Sequence, residues 1–262
     1  MASHNREMKR EVPEWFSISE EVSPLIMHRV ADAVSDIQMV PQVRSAPLLA
    51  HWFVLDTLLL ANKANREGMH ANALALTRQC IEAISIIELG VCGHADAEGI
   101  LLKWDSDGLT AGKLRAWLEA NVWPKYGAGL WHEPWSIFMR EFSGAIQSYA
   151  HYGRDLAQWQ LRLHRIFDSN EANVDSHAFI ELRPRAYDTQ KATRITLFHA
   201  LLSYLLGRIW LAANATDIEF ANTMTRLGQA LGKSRYLDGH QTDWSKQFWA
   251  MVWKRGGGTL LE

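Results

Sequence analysis

Residues 71–89, ANALALTRQCIEAISIIEL, are apolar at nearly every helical position, and two charges one turn apart, Arg78 and Glu82, interrupt them. A helix that is hydrophobic on all sides is stable only where neighbours surround it. Other helices must therefore pack around this one. An ionised group inside that wall needs a partner or a ligand, because a lone buried charge is strongly disfavoured. On a helical wheel Arg78, Glu82 and Ser85 share one stripe, while Leu74, Leu76, Ile81, Ile84, Ile86 and Ile87 cover most of the remainder.

Helical periodicity also dominates elsewhere, and no run of alternating β-branched residues is bounded by turn residues. The expected class is all-α, a single multi-helix bundle of about eight to ten helices. One domain covers 1–262, with 1–17 as a flexible tail. Ser23-Pro24 reads as an N-cap followed by proline at the first helical position, opening a helix that runs to Met39. A second helix begins near Pro47 and stops at Arg66, before Gly68. After the helix over 71–89, an acidic loop (Asp96, Glu98, Asp105, Asp107) surrounds a short apolar piece, 100–104, and Thr110 caps the helix of Leu114, Trp117 and Leu118.

Pro124, Gly127 and Gly129 make a turn, residues 131–151 read as a helix with Pro134 in its first turn, and Leu156, Trp159, Leu163, Ile166 and Phe167 form an amphipathic helical stripe. Residues 168–188 are the longest loop. Asp188 caps the longest helix, which continues to Asn214, and Thr216 with Glu219 fits a capping box for a helix to Leu231. A last aromatic helix over 244–254 stops at Gly256.

With 48% hydrophobic and 21% charged residues and a formal charge of -2, the composition is that of a globular protein without the strongly basic stripe of a nucleic-acid binder. The N-terminal residues are polar and lack the apolar region of a secretory signal. Cys80 and Cys92 lie on or just after one helix, where a disulfide needs a sharp reversal, so free thiols in a reducing cytoplasm are expected. Residues 195–213 approach spanning length, but His199 and Arg208 favour a buried core helix over a membrane span. Twelve tryptophans, with Trp131 and Trp135, and Trp249 and Trp253, at helical spacing, point to packing between helices, an aromatic ligand cage or a homo-oligomer face.

The polar groups within this apolar frame define the candidate site. Arg78 is the expected anion anchor, with Glu82 as its orienter or a base; the alternative is an ion pair tying two helices together. Gln147, Ser148, Tyr149, His151, Tyr152 and Arg154 cluster at a helix end, and Tyr149 and His151 are expected hydrogen-bond donors to the same ligand. Thr196, His199, Ser203, Gly207 and Asn214 line a narrow polar side of the long helix. The expected ligand is a small or nucleotide-like molecule, or a protein partner.

No cofactor or metal is expected. The glycine-lysine segments at Gly108 and Gly228 lack the phosphate-loop spacing and follow no strand. Neither His177 with Glu181 nor His28 with Asp32 has an assignable third ligand. Glu67 with His70 stands alone where a di-metal bundle needs two such motifs, and Ala116 occupies the closing position of a calcium loop begun at Asp105. Arg183, Arg185, Lys191 and Arg194 form the most basic stretch, read as a solvated loop or an RNA contact.

Leu76-Thr77-Arg78-Gln79-Cys80-Ile81-Glu82-Ala83, followed by Ser148-Tyr149-Ala150-His151, resembles bacterial helical proteins of unknown function that are distantly HEPN-like. The resemblance covers 71–154. It implies a helical dimer, and among HEPN proteins are ribonucleases, toxins and abortive-infection factors marked by an arginine followed within two helical turns by a histidine. Arg44 with His51, Arg194 with His199, and Arg235 with His240 have that spacing, and Arg194 with His199 lies inside an expected helix, with Ile195 where a polar residue is usual. The resemblance thus implies Arg194 and His199 as alternative catalytic residues, meeting at a dimer interface.

Overall fold

In the computed structural model the described residues are 13–147, 149–167, 179–184 and 187–233. The expected aromatic helix over 244–254 lies outside them, as do Ser148, His177, Arg185, Arg235 and His240. The fold is an all-α bundle: α1 (Pro13–Ser35), α2 (Pro41–Arg44), α3 (Ala46–Arg66), α4 (His70–Val91), α5 (Ala97–Asp105), α6 (Ala111–Asn121), a 3-10 turn (Trp123–Tyr126), α7 (Trp135–Gln147), α8 (Arg154–Gln160), α9 (Thr189–Ala213) and α10 (Ile218–Gly232). Between α8 and α9 the described residues include one antiparallel pair, β1 (Leu161–Phe167) and β2 (Phe179–Pro184).

The core forms around α4 and α9, as their all-round apolar sequences require. α4 lies against α3, α9, α6, α7 and α8, and α9 lies against α1, α10 and α3. Gly68, at φ +76°, ends the α3 reversal, and Gly90 lets α4 pass so close to Pro47 that a Cβ there would stand 2.5 Å from its ring. Thr110 caps α6 by accepting from the Lys113 amide at 3.4 Å, and Asp188 caps α9 by accepting from the Lys191 amide at 3.0 Å.

Four expectations are corrected. Helix α1 begins at Pro13, inside the supposed tail, and runs through Pro24 instead of starting there. Trp15, Ser19, Val22, Ile26, Val30 and Val34 make one buried stripe across the proline, and Pro24 sits on the exposed side. Apolar burial along the whole stripe outweighs one lost backbone hydrogen bond. Residues 100–104 belong to α5, where Ile100 and Leu101 are buried, and not to a loop. Trp131 precedes α7: His132 adopts φ +68°, Ala128 bridges to Pro134, and the helix starts only at Trp135.

The fourth concerns 161–167: Leu156 and Trp159 of the expected stripe lie in α8, but the residues after Gln160 have a spacing that also fits a strand. Leu161–Phe167 pairs with Phe179–Pro184, setting Phe167 opposite Phe179 and Ile166 opposite Ile180, so the supposed loop over 168–188 supplies a strand. The pairing partner lies beyond any local window.

Candidate functional site

Arg78 projects from the middle of α4 towards the end of α7. Its side chain is only 8% exposed, whereas that of Glu82 is 54% exposed. Arg78 Nε and Nη2 donate to Gln147 Oε1 at 3.0 and 2.7 Å, and Nη2 lies 3.0 Å from Glu82 Oε1. The expected pair is therefore real but asymmetric: the cation is inside and the anion stands at the rim. A guanidinium fixed by a planar amide and one rim carboxylate keeps a donor edge in a defined plane.

Helix α6 brings a second copy of the same pattern. Arg115 and Glu119 repeat the one-turn Arg-Glu spacing of Arg78 and Glu82 on a helix packed against α4. Arg115 is half-buried; burial first, and then the like charge of Arg78, hold its guanidinium below the usual arginine range, while Glu82 and Glu119 act in the opposite sense. Glu119 Oε1 is taken by Arg140 Nη2 at 2.7 Å. Both carboxylates are thus engaged by other arginines, and Arg115 has no hydrogen bond or ion pair with any described residue.

Tyr149 and His151 do not extend this α4–α6–α7 seam as expected. Tyr149 is 4% exposed with its ring edge-on to Trp159, 5.9 Å between centroids, which makes it a packing residue of the α7–α8 junction. His151 is exposed, beyond the end of α7. Gln147, from the same cluster, is the residue that meets Arg78, accepting from its guanidinium. Arg115, Glu119 and Arg140 were missed, although the repeated Arg-Glu spacing on a second helix was visible in the sequence.

The polar side of α9 is filled by neighbouring helices. Thr77 Oγ1 and His199 Nε2 are 2.9 Å apart, and burial pulls the His199 pKa down to about 4, so the ring is neutral at physiological pH. Ser203 donates back to the His199 carbonyl, and a Cβ at Gly207 would meet the tip of Met224 at 2.5 Å. Asn65 Nδ2 donates to the Ala192 carbonyl at 2.9 Å, and its Oδ1 accepts from His70 Nδ1 at 2.9 Å. His70 Nε2 in turn accepts from the Asp188 amide at 3.0 Å, so one neutral tautomer satisfies both contacts. Arg194 is 0% exposed, set within α9 among core residues.

Glu88, near the C-terminal end of α4, is a further buried acid that carries no distinguishing pattern in the sequence. It is 1% exposed and accepts from Trp123 Nε1 at 3.0 Å. The Tyr126 hydroxyl lies close to the same carboxyl without reaching hydrogen-bond geometry. Burial pushes the Glu88 pKa up to about 7, the Trp123 donor and the nearby Tyr126 hydroxyl pulling the other way. Cys80 and Cys92 are both free thiols, and burial raises Cys80 to about 12.

No protein-family model matches this chain, and no curated protein or solved structure matches it either. The functional reading therefore rests on the geometry alone.

Proposed function

We propose that this chain is a helical binding protein for a small anionic molecule, one carrying a phosphate or carboxylate group, held at the α4–α6–α7 seam. Arg78 and Arg115 supply the donors, Gln147 and Glu82 hold Arg78 in its plane, and Arg140 takes the direct contact to Glu119, whose pull on Arg115 is weaker than the opposing effects of burial and of Arg78. The observation that carries this reading is the half-buried Arg115 guanidinium, which lies beside a second arginine and pairs with no described residue. Like charges brought together and partly desolvated raise the free energy of the unliganded protein, and a bound oxyanion removes that repulsion through charge-assisted hydrogen bonds. A nucleotide phosphate fits the same donor set. The ribonuclease reading finds no comparable support, because Arg194 has no exposed surface with which to meet RNA or a second subunit.

Thermal melts of the whole chain with pyrophosphate, against chloride at matched ionic strength, test the proposal. An anion present at about 100 times its dissociation constant stabilises by about 2.7 kcal/mol, a rise of several degrees for a chain of this size. The rise is expected in wild type and absent in Arg115→Gln, a change at a half-exposed position that leaves the core intact. Equal melting curves for the two proteins in pyrophosphate would overturn it.

A further inference from the structure

Helix α3 turns an apolar stripe outward, and this observation is independent of the anion seam. Leu49, Trp52, Phe53, Leu59 and Leu60 are 56%, 54%, 44%, 69% and 56% exposed. Together with exposed Asp56 and Lys63 they recur every three or four residues along one side of α3, while Pro47, His51, Val54, Thr57, Ala61 and Ala64 are buried on the other. The stripe presents on the order of 600 Å² of apolar surface, the upper end for a monomer's largest patch, and Phe53, Leu59 and Leu60 form its C-terminal part.

The charges within the stripe select its occupant. The stretch Pro41–Arg66, which joins α2 and α3, is long and apolar enough to cross a membrane, yet Asp56 lies mid-stripe and Lys63 one heptad beyond, where burial in hydrocarbon is costly. A second copy solves both charges in one register only. Parallel pairing sets Asp56 against the partner's Asp56, and so does antiparallel pairing centred on Asp56. An antiparallel pair centred between Leu59 and Leu60 sets Asp56 against the partner's Lys63, twice by symmetry, with the leucines meeting at the axis. The same register lays Phe53 beside the partner's Arg66, whose guanidinium can cover an aromatic ring.

We infer that this chain forms a twofold homodimer through antiparallel α3 helices centred between Leu59 and Leu60, with Asp56 paired to the partner's Lys63. Sedimentation equilibrium of the full chain tests the interface and its register together. Wild type is expected to dimerise at micromolar concentration, and Leu60→Arg to remain monomeric. Asp56→Lys and Lys63→Asp, each opposing like charges twice, are expected to weaken the dimer about tenfold. The double variant Asp56→Lys/Lys63→Asp restores it. All three substitutions are at exposed positions, and circular dichroism confirms the folding of each variant. A wild type that stays monomeric at 100 micromolar overturns the proposal, as does a double variant no tighter than the singles. Monomeric wild type that co-sediments with phosphatidylglycerol vesicles overturns it in favour of a lipid surface.

Discussion

Replacing Glu88 by glutamine isolates the cost of a carboxylate sealed inside the bundle. Glutamine has nearly the same shape and keeps an oxygen for Trp123 Nε1, which lies 3.0 Å from the carboxylate oxygen in the wild type, but it cannot ionise. Burial raises the folded-state pKa from 4.5 to about 7. Below the unfolded value both states hold the proton, and the carboxyl makes its full contribution. Between the two values the folded protein binds the proton and the unfolded chain releases it, so stability falls as pH rises and levels off once the folded pKa is passed. Each pH unit between the two values costs about 1.36 kcal/mol, so the whole loss is on the order of 3 kcal/mol. Urea denaturation of wild type and Glu88→Gln from about pH 4 to about pH 8 therefore has a defined outcome: the stability of wild type relative to the variant drops by that amount across the range. Taking the difference cancels the other titrating groups. A difference that stays constant with pH would refute the argument, since it would mean that Glu88 ionises in the folded state as easily as in water.

Two further predictions concern other buried positions. His199, pulled down to about 4 by burial, stabilises the fold in its neutral form; that contribution is complete above the ordinary value of 6.5 and is lost as pH falls towards 4, so an NMR titration of its ring should show it neutral at about pH 5.5, and a midpoint near 6.5 would contradict the buried Thr77 contact. Gly90→Ala places a Cβ 2.5–2.7 Å from the Pro47 ring and Ile37, which cannot withdraw easily, and is expected to cost about 1–3 kcal/mol in thermal melts; Gly207→Ala meets the flexible end of Met224 and should cost less, and the reverse order would undo the packing argument.

The long-period features of this fold were legible because they are local. The all-round apolar character of α4, the Thr110 and Asp188 caps and the Gly68 break each depend on residues within one or two turns, and each appears where the sequence places it. The departures depend on partners distant in sequence. Leu161–Phe167 has a spacing compatible with helix or strand, and its pairing with Phe179–Pro184 decides the matter. Pro24 looks like a helix start until α9 and α10 are packed along α1. The same division applies to the site: Arg78 and Glu82 were visible as an anomaly within one helix, whereas Arg115 lies on another helix and acquires meaning only when α6 is brought against α4.

Completeness of hydrogen bonding, not burial, separates the proposed binding groups from the supporting ones in this bundle. Asn65, His70 and the Asp188 amide form a closed set in which each donor has an acceptor, joining α3, α4 and the start of α9; such a network fixes helix register and leaves nothing to offer a ligand. Arg208 is spent likewise, on the Tyr126 and Ala128 carbonyls and the Tyr204 hydroxyl, clamping the 3-10 turn to α9. The α4–α6–α7 seam differs in kind. Its carboxylates make their direct contacts to Arg78 and Arg140, so Arg115 has only their attraction from a distance to set against burial and the like charge of Arg78. A structural ion-pair cluster would be improved by one more acid or one fewer base, so an excess cation held half-buried at the rim is the arrangement expected of a site completed by an anion from solution.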